Sequence, residues 1–371
     1  MREKIKLLDI ADALGISTGT VHRALHNNPG VSPVTKSRVV EMAKSLGYRP
    51  NLAARYLSSK RNLRISVNTL RGTTSFWDEV RAGIDEEARA SAIENVRIEY
   101  RTYPQLGEGE EEAFQDALNT RADGIILFPS RPHSLYSWMQ QASCTNIPIV
   151  CVVADAPNLD KVAVVSVDAF ASGALAADLM GSFVTGTGKV AVTLSSLTIT
   201  EHAEKYRAFA NTLQSLHPRL QLLATIEDHD IESEAYAKSR ELFVRHPDLA
   251  GIYVTTEASA PVLRAARDLH MLEKMTIITT DLFPALVPEI RSKAVAATIY
   301  QRPRTQGRMA FRVLHEFLAE GECPSAPVTL APHLVMRGNL DFFLQRQSVE
   351  TSPKRAVGLP SGGADLAECF S

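Results

Sequence analysis

The stretch LLDIADALGISTGTVHRAL, residues 7–25, decides the architecture of the start of the chain. Apolar side chains recur in its first half at helical spacing, at Leu7, Ile10, Ala11 and Leu14. Gly15 follows where a helix is expected to end, and Ser17 offers an N-cap for a second, short helix. The pattern therefore predicts two helices joined by a tight turn that contains glycine, which is a helix-turn-helix.

The second of these helices is expected to have one buried and one polar side. Thr20, Val21 and Ala24 fall on the inner side, whereas the outer side carries Thr18, Gly19, His22 and Arg23. Short hydrogen-bonding side chains allow a helix to enter the major groove of DNA, and a basic pair can reach phosphate or guanine. The alternative is that Ser17 and Thr20 are only cap and core, with a solvated basic pair. A third helix over 34–46, capped by Ser32, completes an all-α domain of residues 1–48.

The charge of the 371-residue chain is unevenly distributed. Residues 1–61 hold 11 Lys and Arg against 4 Asp and Glu, whereas the remaining residues hold 29 against 38. A basic head on an acidic body favours nucleic acid as the partner over a membrane surface. The sequence has no run of 18 apolar residues and no signal peptide, so we expect a cytoplasmic protein that is bound to the nucleoid when it holds DNA. Its four cysteines lack a CxxC spacing, which predicts no metal site.

The body, residues 62–346, alternates apolar strands with helical segments, which predicts parallel sheets built from βαβ units. The predicted strands are 64–70, 96–103, 124–128, 147–153, 162–167, 189–194, 251–255, 275–280 and 294–300. The predicted helices are 77–91, 110–120, 171–183, 204–216, 232–245, 258–269 and 305–318.

Ligands of open parallel sheets bind outside the carboxyl ends of the strands, so the polar and aromatic residues that follow each strand are candidate effector contacts. They are Phe76, Trp77, Ser130, Arg131, Asp155, Lys205, Thr256, Asp281 and Gln301. Aromatic faces together with carboxylates, an amide and one or two cations suit a polyol ring. Each residue alone also has a structural interpretation, as a helix cap or as part of the core.

The head resembles the lactose/galactose-repressor (LacI/GalR) family of bacterial transcription regulators without a gap over about sixty residues. The resemblance is carried by Leu8 to Ala11, Leu14 to Ser17, Thr20 to Leu25, Val31, Ser32, Leu46 to Asn51, Ala54, Arg55 and Leu57. It implies that Ser17, Thr18, Gly19, Thr20, His22 and Arg23 lie at the major groove. Family members commonly have serine at the position of His22 and a base-reading side chain at the position of Gly19.

The resemblance also implies a hinge helix and linker at 49–61, with DNA contacts from Asn51, Ala54, Arg55 and Leu57. Leu57 would act as an apolar wedge that opens a base step from the minor groove. Packing of Leu57 on the third helix is the alternative. Such a hinge is too short to be a stable helix by itself, so it would form when two copies pair on DNA.

The body is similar to the bilobed type I periplasmic-binding-protein domain that serves this family as its effector domain. The expected N-lobe comprises about 62–166 and 297–331, the C-lobe comprises about 167–296 and 332–346, and 347–371 forms a flexible tail. Lys205 stands where an arginine is usual, with Arg207 as the alternative. A small sugar or polyol would change lobe closure and hinge pairing in a homodimer on a pseudo-palindromic operator, although a tetramer stays open.

The predicted function is therefore a repressor of a carbohydrate-utilisation operon with no cofactor and no catalytic residue. The alternative is a helix-turn-helix head fused to a catalytic sugar-binding or sugar-modifying module. The segment TGTGK, 185–189, lacks the spacing of a phosphate loop and precedes a strand, and no HExxH or GxSxG motif is present. These observations favour a regulator over an enzyme.

Overall fold

The computed structural model describes residues 7–25, 29–46, 63–71, 75–91, 96–321, 323–325 and 327–351. The chain divides into two compact units. The first unit comprises Met1–Ala174, Ser195–Phe209 and Arg302–Pro332, and the second comprises Leu175–Leu194, Ala210–Gln301 and His333–Ser371. The chain therefore passes repeatedly from one unit to the other.

The head folds as three helices around a small apolar core, as the sequence predicts. The helices are α1 (Leu7–Leu14), α2 (Thr18–Leu25) and α3 (Pro33–Leu46). Their buried residues are Ile10, Ala11, Val21, Ala24, Val39 and Ala43. Ser32 caps α3, because its Oγ accepts the Thr35 N–H at 3.2 Å.

The body contains the following elements in chain order. Up to residue 183 they are β1 (Leu63–Leu70), α4 (Ser75–Ala90), β2 (Val96–Tyr103), α5 (Glu110–Asn119), β3 (Gly124–Leu127), α6 (Tyr136–Cys144), β4 (Ile149–Val152), β5 (Ala163–Val167) and α7 (Ala169–Phe183). Next come β6 (Gly188–Leu194), α8 (Thr200–Leu216), β7 (Leu220–Glu227), α9 (Glu232–Arg245), β8 (Leu249–Val254), α10 (Ser259–Asp268), β9 (Thr276–Thr280), a 3-10 turn (Pro284–Leu286) and α11 (Val287–Ser292). The last are β10 (Ala297–Tyr300), α12 (Pro303–Glu320), β11 (Val328–Leu330), β12 (His333–Val335) and α13 (Leu340–Thr351).

The sheet of the first unit has the order β11-β5-β4-β3-β1-β2, and all its strand pairs are parallel. Alternate residues of β3 enter two different cores. Ile126 belongs to the core that contains Trp77 and Phe311, whereas Ile125 and Leu127 pack with Phe114. The sheet is thus covered on both faces, which explains why its central strands β3 and β4 are continuous apolar runs in the sequence.

The sheet of the second unit has the order β12-β10-β9-β8-β6-β7. Its strand pairs are parallel except for β12, which lies antiparallel to β10. The two sheets confirm the predicted class, a small helical head followed by a doubly wound α/β body.

Several predicted boundaries differ from the structure. β10 pairs with β9 in the second sheet, so the returning segment of the first unit begins at Arg302 and not at residue 297. The first unit also includes Ser195–Phe209, which was expected in the other lobe. The final helix continues to Thr351, so residues 347–351 are helical and do not belong to a flexible tail. The remainder of that predicted tail lies outside the described residues.

Helices α4 and α12 of the first unit cross with almost no space between their backbones. A Cβ added at Gly83 would overlap the Arg304 carbonyl oxygen, and one added at Gly307 would overlap the Val80 carbonyl oxygen. Arg304, which is only 7% exposed, pairs with Glu79 and Glu86 of α4, each at 2.6 Å. Two glycines and one buried arginine therefore fix this crossing.

Candidate DNA interface and effector site

The turn between α1 and α2 sets the direction of the second helix. Gly15 adopts the left-handed conformation with φ +64°, and the Ile16 N–H donates to the Ala11 carbonyl oxygen at 3.0 Å. Such a bond satisfies a carbonyl group that the end of α1 leaves unpaired. The chain then enters α2 through Ser17, whose Oγ accepts the Thr20 N–H at 3.1 Å.

The side chains of α2 separate into a packed side and an exposed side. Val21 and Ala24 are buried in the head core, and the Thr20 hydroxyl lies 2.9 Å from Ser17 Oγ. The exposed side carries Thr18, Gly19, His22 and Arg23. Ser17 and Thr20 thus serve the cap of the helix, whereas the other four residues are directed to solvent and form a polar and basic strip.

The predicted hinge contacts cannot be compared with the structure. Asn51, Ala54, Arg55 and Leu57 lie outside the described residues. Their roles on DNA therefore stay predictions that follow from the family resemblance.

In the first unit, the predicted aromatic contacts pack against protein. Phe76 and Trp77 begin α4 and are 8% and 6% exposed. The centroid of the Trp77 ring lies 4.6 Å from the centroid of the Phe128 ring and 5.2 Å from that of the Phe76 ring. These side chains share a core with Ile199. These contacts support the interpretation of Phe76 and Trp77 as part of the core, and neither ring has a face open to solvent.

Ser130 and Arg131 follow β3 and lie beside the start of α5. Ser130 is buried, and its N–H and Oγ donate to the Glu110 carboxylate at 2.7 and 2.5 Å. Burial raises the pKa of Glu110, and the bonds from Ser130 oppose that rise. The exposed Arg131 guanidinium fills the space where Gly107 lacks a Cβ, at the wall of a cavity of about 290 Å³.

Asp155 and Lys205 each form an ion pair within the first unit. Asp155 follows β4, and its Oδ1 lies 3.0 Å from Lys161 Nζ. Lys205 of α8 is 1% exposed and pairs with Glu201, which His202 also approaches at 3.2 Å. Lys161 and Glu201 are not among the predicted site residues, because a partner six or four residues away along the chain carries no sequence motif of its own.

Charged groups of both signs surround Glu204 of α8. Burial raises the pKa of Glu204, and the negative charges of Glu201, Asp155 and Asp168 raise it further, against a lowering effect of Arg207. Asp168 also accepts the Ala171 N–H at 2.8 Å as the cap of α7. This edge of the first unit therefore holds several carboxylates, which are balanced in part by Arg207, Lys205 and Lys161.

In the second unit, Asp281 and Gln301 are brought together. The Gln301 N–H donates to Asp281 Oδ1 at 2.9 Å, and its Nε2 donates to Oδ2 at 2.7 Å. Both residues are buried. Thr256 accepts the Ala258 N–H at 3.2 Å just before α10. These predicted effector residues thus bind partners of their own unit at the carboxyl ends of β8, β9 and β10.

Asp228 is a polar residue at this edge that the sequence analysis missed. It follows β7 and is fully buried, and burial raises the pKa of its carboxyl to about 7. Its Oδ1 accepts the Asp230 N–H at 3.0 Å, whereas its Oδ2 has no hydrogen-bond partner in the described part of the chain. Recognition of LQLLATIE, 220–227, as a strand would have identified it.

No three His, Cys, Asp or Glu side chains among the described residues are grouped to hold a metal ion. The described helices include none whose length and apolar character would let it span a membrane.

Comparison with known proteins agrees with this arrangement. Residues 65–322 match the periplasmic binding protein domain, and residues 6–51 match the lacI family of bacterial regulatory proteins. The chain belongs to the lacI family of regulators. Catabolite control protein A of Priestia megaterium is 24% identical over 340 residues, which cover 89% of this chain and 97% of that protein. This relative is matched through head and body alike, so the chain is a DNA-binding transcription regulator.

Solved structures match the body of this lacI-family protein. GanP, a glucose-galactose binding protein from Geobacillus stearothermophilus, has a TM-score of 0.69 at 22% identity and covers 76% of this chain and 99% of that one. A carbohydrate transporter solute binding protein from Agrobacterium radiobacter, in complex with D-arabinose, has a TM-score of 0.71 at 17% identity, covering 78% and 99%. These similarities establish the fold of the body.

Proposed function

We propose that the protein is a cytoplasmic repressor that binds a pseudo-palindromic operator as a homodimer, controls a carbohydrate-utilisation operon and responds to a small sugar or polyol. The observation that carries the proposal is the exposed polar and basic strip of α2, Thr18, Gly19, His22 and Arg23, on a head that is rich in Lys and Arg. A short helix with such a strip fits the major groove.

The proposed readout assigns different roles to the residues of α2. Arg23 donates to guanine or to phosphate, and Thr18 and His22 contact neighbouring base edges. Two copies of α2 would occupy successive major grooves, one helical turn apart. Asn51, Ala54, Arg55 and Leu57 are proposed to contact the operator centre, where Leu57 opens a base step.

The proposed effector is a neutral sugar or polyol and not a sugar phosphate. Lys205, the cation expected to hold a phosphate, is buried against Glu201. The carboxylates of the same region, Glu201, Glu204, Asp155 and Asp168, would repel a dianion. One similar solved structure is a glucose-galactose binding protein and another is a complex with D-arabinose, which supports the same ligand class.

Exposure distinguishes two roles among the candidate effector residues. Arg131 is exposed and the Asp155 side chain is 40% exposed, so we assign direct effector contacts to these two. Phe76, Trp77, Ser130, Lys205, Thr256, Asp281 and Gln301 are buried, and we assign to them the positioning of the strand ends.

Selection from a random DNA library tests the DNA-binding part of the proposal. The full-length protein should enrich a motif with two related halves. Arg23→Ala should lose base preference at one position of each half of the motif. The control Arg38→Ala removes the same charge from an exposed position of α3 and should keep the motif. Equal loss of affinity on all sequences in both variants would contradict a base-reading role for Arg23.

A thermal-shift screen tests the effector. A ligand that binds only the folded state adds about 2.7 kcal/mol of stability at a hundredfold excess over its Kd. We expect one neutral sugar or polyol to raise Tm, and Asp155→Asn to abolish that rise. Asp160→Asn, at an exposed neighbouring aspartate, should retain it. Shifts from phosphorylated sugars alone would overturn the proposed effector class.

Incubation with the sugar that raises Tm tests the alternative of a catalytic sugar-modifying module. After incubation with the protein, with and without ATP, the sugar should be recovered unchanged. A product that accumulates with time would instead favour a sugar-modifying module fused to a DNA-binding head.

A further inference from the structure

Gly19 is a glycine that the fold does not require. It lies in the first turn of α2 on the exposed side of the helix. A Cβ added there would meet only Ser17 Oγ, at 3.9 Å, which is an ordinary van der Waals contact. Its φ also lies outside the left-handed region that favours glycine. Neither space nor backbone conformation therefore selects glycine at this position.

Glycine is nevertheless an unfavourable choice for a short helix. It loses more backbone freedom on folding than any other residue, and it is among the poorest helix formers. α2 has only eight residues, so each of them matters for its stability. The reason for Gly19 thus has to lie outside the isolated head.

We infer that Gly19 determines operator choice by steric means, because its missing side chain lets the backbone of α2 approach the base edges directly. This inference rests on the proposed function of α2 as the recognition helix. It differs from a readout in which residue 19 contributes its own side chain, since here the empty space is the determinant.

The positions around Gly19 are consistent with such an approach. Residues three and four apart on a helix are neighbours on its surface, so His22 and Arg23 lie one turn beyond Gly19. Thr18 precedes it at the start of the helix. A side chain at position 19 would stand among these three polar residues and hold the helix away from the groove floor. Thr18, His22 and Arg23 reach the bases when that side chain is absent.

The test compares Gly19→Ala and Gly19→Gln with the wild type in the full-length protein. Operator affinity is measured on the motif that the wild type selects from a random library, and the selection is repeated for each variant. Ala13→Gln adds a comparable side chain at an exposed position of α1 and serves as the matched control. Thermal unfolding checks the folding of each variant, and Gly19→Ala should unfold at the wild-type temperature or above it.

We expect Gly19→Ala to bind the selected operator at least tenfold more weakly, Gly19→Gln to bind more weakly still, and Ala13→Gln to keep the base preference. Tighter binding by Gly19→Gln with a new base preference would overturn the inference, since Gly19 would then be only a missing contact. Unchanged affinity and motif in Gly19→Ala would overturn it as well while leaving the proposed function intact. A wild-type protein that selects no motif would overturn both.

Discussion

At the scale of single residues, burial makes Asp228 sensitive to pH, and the positive charge of Lys238 offsets its effect only in part. The carboxyl is enclosed at the end of β7, and the negative charge of Asp230 adds to the effect of burial, which raises its pKa to about 7. An unfolded aspartate titrates near pH 4, so the folded protein favours the protonated form. The stability that protonated Asp228 contributes is therefore fully present below about pH 4, and it is lost as the pH rises through about 7.

A loss of stability with rising pH is the first prediction. The free energy of unfolding of the wild type should decrease between about pH 5 and about pH 8, by as much as about 3 kcal/mol, since the rest of the effect lies below pH 5. Asp228→Asn cannot ionise, so its stability should change much less over the same range. Asp230→Asn, at the exposed neighbour, should retain most of the wild-type slope. Parallel slopes for all three proteins in urea unfolding would contradict a buried, titrating Asp228.

A second residue-scale prediction concerns the cap of α2. Ser17→Ala removes the acceptor of the Thr20 N–H and should destabilise the head by about 1 kcal/mol. Because the same helix carries the exposed strip, operator affinity should decrease together with the stability of the head. Ser37→Ala, at an exposed interior position of α3, removes a hydroxyl without removing a cap. Head unfolding followed by circular dichroism should separate the two variants, and equal unfolding curves would argue against the cap.

At the scale of elements, the crossing of α4 and α12 is the tightest helix contact described above. Gly83→Ala should force the two helices apart, weaken the Arg304–Glu79 pair and cost about 2–3 kcal/mol of stability. Gly338→Ala is the matched control, because no atom lies within 4 Å of a Cβ there. Chemical unfolding measures both effects. A Gly83→Ala protein as stable as the control would show that the crossing tolerates a methyl group.

Elements with strong patterns were predictable from the sequence. The strand 96–103 and the helix 232–245 have the predicted bounds, because the alternation of apolar and polar residues and a helical period are local signals. β7 was missed because its apolar residues Leu222, Leu223 and Ile226 also fit a helical spacing, so its pattern does not distinguish a strand from a helix. β11 and β12 have only three residues each, and their partners are distant in sequence.

The candidate effector site was less predictable than the fold. Sequence position placed Asp281 and Gln301 at the correct edge, but only the three-dimensional structure shows that they bind each other. The same holds for Lys205, whose partner Glu201 lies one helical turn away. Polar residues at strand ends have several possible partners, and a pattern along the chain does not distinguish a protein partner from a ligand.

At the scale of the whole molecule, the division of charge governs how the protein meets DNA. The basic head should release counterions from the phosphates, so operator affinity should fall steeply between about 50 and about 200 mM salt. Effector affinity should change much less over this range, because the proposed effector is neutral. Titrations of both ligands against salt concentration measure the two slopes. An operator affinity that does not depend on salt would exclude phosphate contacts by the head.

The separation of packed and exposed residues on α2 also bears on how such regulators diversify. Val21 and Ala24 hold the helix in the head, whereas Thr18, Gly19, His22 and Arg23 have no part in that core. Substitutions at the exposed positions can therefore accumulate without a loss of folding. A duplicated gene is free to acquire a new set of target promoters while it keeps its body, its stability and its response to a metabolite.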